Sequence, residues 1–342
     1  DLSSGRFSAR VSPGGFIFDV SGSSAFPEDV PLLLSVMNSQ FSQYALKLIN
    51  PTLHVQVGDL SRLPHPGSSS PQLRDLVNKA VEFARQASSE DETTYDFFCF
   101  PDWVSGAGEV ASRAQQLSSI ELEIDEEVYR LYQISKEDRE AIERELADRE
   151  SEMTDDSGEA GAEVGSLRAA QEGKVKNNIT SRDGTITALP LTTEELARQW
   201  ISYAVGIVLG RFQPGVAKGL GCGRFSQNIA SSLQDLADPD GILVMDEGHP
   251  DDLPTKVLQA LKMMVGEEEA ADVIRAGTEK RGAPEDLLRQ YLDRTFFKQH
   301  IQQYRKRPVY WYLQSPKKRY GIWAFHERLT NDTLFRIQKE YV

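Results

Sequence analysis

A chain of 342 residues, 39% apolar and 26% charged, has material for two or three domains that each bury a core. No run approaches the ~20 apolar residues of a bilayer-spanning helix; the most apolar, Ala204 to Gly210, is far shorter, so no membrane partner is expected. The net charge of −14 speaks against nucleic acid until it is located: Glu121 to Glu163 holds seventeen acidic residues against five basic, whereas Ile301 to Val342 holds nine basic against three acidic.

The chain opens at Asp1 in mid-pattern and reads as a fragment, without the residue order of a secretion signal. Phe7 and Val11 flank polar residues, Pro13-Gly14-Gly15 supplies a turn, and "FIFDV" resumes as a strand, which predicts a β-hairpin. Leu33, Val36, Met37, Phe41, Tyr44, Ala45 and Leu48 then form one helical face over 31–49. Asn50-Pro51 ends that helix, because proline disfavours the helical conformation in the residue before it. "LHVQV" alternates as a strand, and "GDLSRLP" walks out of it.

"HPGSSSP", 65–71, is a linker by composition. Leu73, Leu76, Val77, Ala80 and Phe83 predict a helix over 72–87, followed by the turn-like aromatic run "TYDFFCFPDW". Residues 111–150 are helical by composition, with Ser135 as an N-cap and Asp138 three residues on. The stretch 151–175 is acidic, Gly-rich and poor in large apolar residues, the composition of a mobile spacer. Further helices are expected over 191–209, with Thr193 as cap, over 253–265 and over 285–304. "RPVYWYLQSPKKRYGIWAFHERLT" is a β-hairpin by every local rule, and a short helix from Asn331 closes the chain.

Catalytic patterns are sparse. "KGLGCGRF", 218–225, has the look of a loop that holds S-adenosylmethionine, but Pro214 and Gly215 stand where a buried strand should precede it, so a surface loop is the better reading. Five scattered histidines give no metal spacing, and Cys99 and Cys222 alone suit a reducing cytoplasm. The strongest ligand signal is the C-terminal hairpin. Arg305, Lys306 and Arg307 precede its first strand and Lys317, Lys318 and Arg319 fill its turn, a layout suited to phosphate contact. A solubilising turn that protects a β edge explains the same residues, and the two readings stand level. Tyr310, Trp311, Tyr312, Trp323 and Phe325 read as core of the hairpin's buried face.

The order "SSGRFSAR…GFIFDVSGSSAFP", "LLSVMNSQFSQYALKLINPTLHVQVGDLSRLP", "TYDF", "ISYAVGIVLGRF", "DPDGILVM" and "KRPVYWYLQSPK" resembles the C-terminal half of large adenine-specific DNA methyltransferases of the PglX family, from BREX phage-defence systems. Type IIG restriction-modification enzymes share the pattern more loosely. The acidic insert at 120–170 and the glycine-rich part after Phe212 depart from the family's text.

The residue patterns and the resemblance together predict an α+β fold: a mixed α/β target-recognition piece over 1–66, a helical region over 67–150, an acidic, Gly-rich linker over 151–190, and a helical C-terminal domain over 191–342 ending in the basic hairpin. The resemblance implies double-stranded DNA and a separate N-terminal methyltransferase domain as partners, with other phage-defence proteins beside them. The parent enzyme would use S-adenosyl-L-methionine. This region would bind no cofactor or metal, carry no catalytic residue and be inactive alone. Base reading is expected from Ser3, Ser4, Arg6 and Arg10, and phosphate contact from the six hairpin cations. The competing expectation is a protein-binding scaffold in a defence complex, with the acidic segment as partner surface or DNA mimic.

Overall fold

The computed structural model of the chain describes residues 7–18, 23–52, 55–155, 178–180, 186–188, 191–212, 225–317 and 320–341. The fold is α+β and mainly helical. It divides into two compact units, Asp1–Ala84 with Ser112–Leu189, and Arg85–Ala111 with Pro190–Val342. Most of the acidic stretch at 151–175, and the glycine loop through Gly223, lie outside the described residues.

In the first unit the expected N-terminal hairpin is replaced. The Gly14-Gly15 turn forms, but residues 7–18 make no strand. Two side-chain amides take the place of a partner strand. Gln43 Oε1 accepts from the Phe7 N–H (3.0 Å) while Gln43 Nε2 donates to the Phe7 carbonyl (2.6 Å). Asn38 does the same at Ala9, at 2.9 and 3.1 Å. The single helix expected over 31–49 is two helices, α1 (Val30–Asn38) and α2 (Gln40–Ile49). Ser39 separates them: its backbone is extended, and its hydroxyl accepts from Ser42 N–H as an N-cap while donating to the Val36 carbonyl.

The strand expected at "LHVQV" is also corrected. Leu53 and His54 lie outside the described residues, and Val57–Leu60 is a one-turn helix, α3. Asp59 decides this locally: its carboxylate accepts from the Gln56 N–H at 2.9 Å and from Asn50 Nδ2 at 2.7 Å. Val57 stays 60% exposed, so the apolar alternation had no face to bury.

"HPGSSSP" is ordered rather than a free linker. Ser69 donates to Asp29, which caps α1, and Ser70 caps α4 (Pro71–Ser89) through Leu73 N–H and bonds Glu127. Helix α4 appears where expected, burying Leu73, Leu76 and Val77. The long helical region is α5 (Gly106–Leu131) and α6 (Lys136–Asp155), with Ser135 accepting from Asp138 N–H at 3.1 Å. Leu32, Val36, Leu73 and Val77 form one apolar cluster; Tyr129, Ile142 and Leu146 form another. A short antiparallel pair, β1 (Asn178–Thr180) with β2 (Ile186–Ala188), belongs to this unit.

The second unit is built around α7 (Thr193–Val208), which is buried from Trp200 to Val208. A helix apolar on all sides belongs in the middle of a core. Its cap is Thr192, not Thr193. Glu195 lies three residues on, so Thr192 Oγ1 accepts from Glu195 N–H (3.1 Å) and Glu195 Oε2 accepts from Thr192 N–H (3.2 Å). Around it pack α8 (Gln227–Leu236), α9 (Leu253–Val265) and α10 (Glu267–Thr278). The aromatic run before α5 closes the same core with Phe97, Cys99 and Phe100, and Trp200 Nε1 donates to the Pro101 carbonyl at 3.1 Å.

Helix α11 (Pro284–Tyr291), a π turn (Leu292–Phe296) and α12 (Phe297–Gln303) together make the rod expected over 285–304. The C-terminal hairpin is β4 (Tyr310–Gln314) and β5 (Gly321–Phe325). Strand β3 (Ile242–Val244) joins it, giving an antiparallel sheet in the order β3-β5-β4 with β5 central. Trp311 lies opposite Ala324, and Leu313 opposite Ile322. Helix α13 (Thr333–Arg336) and a π turn (Ile337–Tyr341) follow, and Ile337 covers Ile242, Val244 and Ile322 on one face of the sheet.

Candidate nucleic-acid interface

The basic turn begins where α12 stops. Lys306 N–H donates to the Ile301 carbonyl (2.8 Å), Arg305 N–H to Gln302 (3.2 Å) and Arg307 N–H to Tyr304 (2.9 Å). These bonds satisfy the last helix carbonyls by bending the chain left-handed, at φ +50° for Arg305 and +66° for Lys306. Each costs roughly 1–3 kcal/mol in a residue other than glycine. Cations at a helix C-terminus recover part of that, about 0.3–1 kcal/mol apiece, through the dipole.

Buried polar groups clamp both sides of the bend. On one side, Tyr304 OH donates to Glu92 Oε1 at 2.6 Å, and Arg211 Nη1 donates to Glu92 Oε1 (2.7 Å) and Tyr304 Oη (2.5 Å). The Arg211 guanidinium also lies over the rings of Phe212 and Tyr304, at 4.8 and 5.2 Å. On the other side, His300 Nε2 accepts from the Val309 and Tyr310 N–H groups at 3.0 and 3.1 Å. An acceptor of two amide protons must be unprotonated there. Burial, aided by the Arg211 charge, accordingly lowers the His300 imidazole to about 3. Burial alone would lower Arg211, but Tyr310, Glu92 and Tyr304 outweigh it and hold the guanidinium charged; burial and then Glu92 raise Tyr304.

The residues expected at the interface fall as follows. Arg305, Lys306 and Arg307 are adjacent and exposed, and Lys317 is exposed beyond the far end of β4. Lys318 and Arg319, like Ser3, Ser4 and Arg6, lie outside the described residues. Arg10 is exposed and belongs to the first unit. Tyr310, Trp323 and Phe325 are core, as expected, and Tyr312 stacks on Trp323 at 4.6 Å. Trp311 is a correction: it points outward at 45% exposure, because the strand alternates and Tyr310 and Tyr312 take the inner face. Sequence reasoning missed Arg294 and Lys298, both exposed on the α11–α12 rod. The signal was available: no Asp or Glu occurs from Arg294 through His326.

A second charged cluster braces the turn into β3. Asp238 Oδ1 accepts from the Asp240 and Ile242 N–H groups at 3.0 and 3.3 Å, and Lys256 Nζ is 3.8 Å from its other oxygen. Burial first, then the hydrogen bond and charge of Asp240, push the Asp238 carboxyl up to about 7. Arg328 donates to the carbonyls of Asp238, Pro239 and Gly210. Arg289 grips Asp252, the cap of α9, through two hydrogen bonds of 2.9 and 2.8 Å. Every group here is tied to backbone or to a neighbouring side chain, so the cluster serves the fold.

No family model matches the chain. It is 29% identical over 370 residues to the adenine-specific methyltransferase BrxX of Escherichia coli O9:H4 (strain HS), covering 100% of this chain and 29% of that protein. It is 26% identical over 377 residues to the adenine-specific methyltransferase PglX of Lacticaseibacillus casei (strain Zhang), covering 100% of this chain and 28% of that one. The chain therefore spans under a third of the length of the curated relatives it matches. Over its whole length the chain is similar to these two adenine-specific methyltransferases.

Proposed function

We propose that this chain is the DNA-recognition and DNA-gripping region of an adenine-N6 DNA methyltransferase acting in cytoplasmic phage defence. It would work beside a catalytic domain that binds S-adenosyl-L-methionine and the target adenine. Whole-length similarity to BrxX and PglX supplies the context. The observation that carries the reading is the exposed Arg305–Lys306–Arg307 turn, held in a strained bend by a buried network, with Lys317 beyond the strand.

A target adenine must leave the base stack to be methylated, so reading and gripping the duplex are separable from the chemistry. Arg305, Lys306, Arg307, Lys317, Lys318 and Arg319 contact phosphates and fix register; Ser3, Ser4, Arg6 and Arg10 read bases. Among the described residues no helix is long and apolar enough to cross a membrane.

The test is duplex affinity of the full-length protein as a function of salt. Changing Lys317, Lys318 and Arg319 together to Ala removes three cations. This should weaken binding to all sequences alike and reduce the salt slope by roughly 2–3, since each neutralised phosphate contributes about 0.9. An unchanged slope and affinity would make the hairpin a structural or protein-binding element.

A further inference from the structure

From Arg294 through His326 the chain has no carboxylate and eight Lys or Arg, within a protein of net charge −14. Six of these cations are described and exposed, at 294, 298, 305, 306, 307 and 317. Arg294 alone approaches a carboxylate, that of Asp293 at 3.8 Å. Strand β4 runs through this basic stretch as an edge of its sheet.

The outer face of β4 presents Trp311 and Leu313, 45% and 44% exposed, although their cross-strand partners Ala324 and Ile322 are buried. Ile337 covers Ile322, whereas Trp311 stays about half exposed. Phe297 lies 6.4 Å from the indole, and Lys298 follows it on α12. Trp200 and Trp323, by contrast, are at 1% and 0% exposure.

We propose that Trp311 is a stacking platform for an unpaired base of a DNA strand whose phosphates the surrounding cations hold. This rests on the DNA-binding reading above and adds the form of DNA that the site takes. An edge strand is ordinarily protected by Lys or Pro, and an exposed indole there gives up that protection. An intact duplex shows base edges in its grooves but no free ring face, so an indole gains little from it. An unpaired base has a free face, and a flat aromatic ring between cations binds it with little regard to sequence. A region gripping DNA from which one base is extruded meets such a strand in every turnover.

The experiment measures affinity of the full-length protein, at one salt concentration, for an intact duplex, the same duplex with a central single-stranded gap, and the free strand. The wild type should prefer the gapped duplex to the intact one by roughly 10-fold. Trp311→Ala should abolish that preference while leaving intact-duplex affinity unchanged, and Trp311→Phe should retain most of it. If the wild type shows no preference, or Trp311→Ala keeps it or weakens both duplexes equally, the stacking role is overturned and the phosphate-gripping reading stands. If no probe binds at low salt, the DNA-binding reading itself fails.

Discussion

Replacing Arg211 by Met tests whether the buried clamp carries the basic turn. The Arg211 side chain is 11% exposed and its partner Glu92 is 0% exposed, so this ion pair is not a surface pair worth under 1 kcal/mol. Met approximates the guanidinium's aliphatic stem but leaves Glu92 with only the Tyr304 hydroxyl, and Glu92 Oε2 already has no hydrogen-bond partner. Removing one member of such a pair costs roughly 3–5 kcal/mol, because an uncompensated charge stays buried. Adding Glu92→Gln neutralises that charge while keeping an acceptor for Tyr304, so the double variant should recover about 2 kcal/mol. All four tryptophans lie in the second unit, so urea unfolding followed by tryptophan fluorescence reports on that unit. A cost for Arg211→Met below about 1 kcal/mol, or no coupling in the double variant, would refute the reasoning.

Three further outcomes are expected. Thr192→Ala should cost about 1 kcal/mol and Thr193→Ala markedly less, since Thr192 makes the capping bond; equal costs in thermal melts would contradict the assignment. Gly206→Ala should destabilise by roughly 1–3 kcal/mol despite alanine's helix preference, because its Cβ would overlap the Phe212 ring and come within 2.7 Å of Tyr310 Oη; Gly108→Ala, with open space around it, should instead stabilise by about 0.5–1 kcal/mol in urea titrations. Two buried groups pull the pH dependence in opposite directions. The Asp238 carboxyl, raised to about 7, contributes stability that is present near pH 4 and lost toward pH 7, while His300, lowered to about 3, loses stability as pH falls from about 6.5. Asp238→Asn should therefore leave a protein whose stability falls with acid more steeply than the wild type between pH 6.5 and 4.5; parallel curves by denaturant titration would count against it.

Much of the second unit was legible because its signals are local. Helices α7 and α9 have caps and apolar faces, and "VYWYLQSPKKRYGIWAF" declares a hairpin by β-rich runs around a turn. Helix α10 escaped notice because its first turn is Glu267-Glu268-Glu269 and its apolar face, Ala270, Val273, Ile274 and Gly277, is built partly of small residues. There a side chain at Gly277 would meet Ile201 Cδ1 at 2.8 Å, so the packing needs a residue that adds no apolar signal. Strand β3 has three residues, and only its pairing with β5 makes it a strand. The first unit misled for the opposite reason. Its alternating patterns were real, but the side-chain amides of Asn38 and Gln43 and the carboxylate of Asp59 satisfied the backbone that a strand partner would have taken. Such side-chain substitutes, near or distant in sequence, leave no trace in periodicity.

The same distinction separates structural from functional charge. In the second unit Arg198, Arg211, Lys256, Lys262, Arg275, Arg289 and Arg336 each face a carboxylate, and Arg328 holds three carbonyls. Each has a local reason to exist, whatever the protein binds. Lys298, Arg305, Lys306, Arg307 and Lys317 form no ion pair with a described residue, and the chain withholds carboxylates from their whole neighbourhood in sequence. A solubilising surface has no need of that exclusion, because mixed charge dissolves a protein equally well. Concentrating one sign in an acidic chain costs self-repulsion that is relieved when a polyanion arrives. The strained bend at Arg305 and Lys306 points the same way. A glycine at either position would make the turn at lower cost, and a cation occupies both.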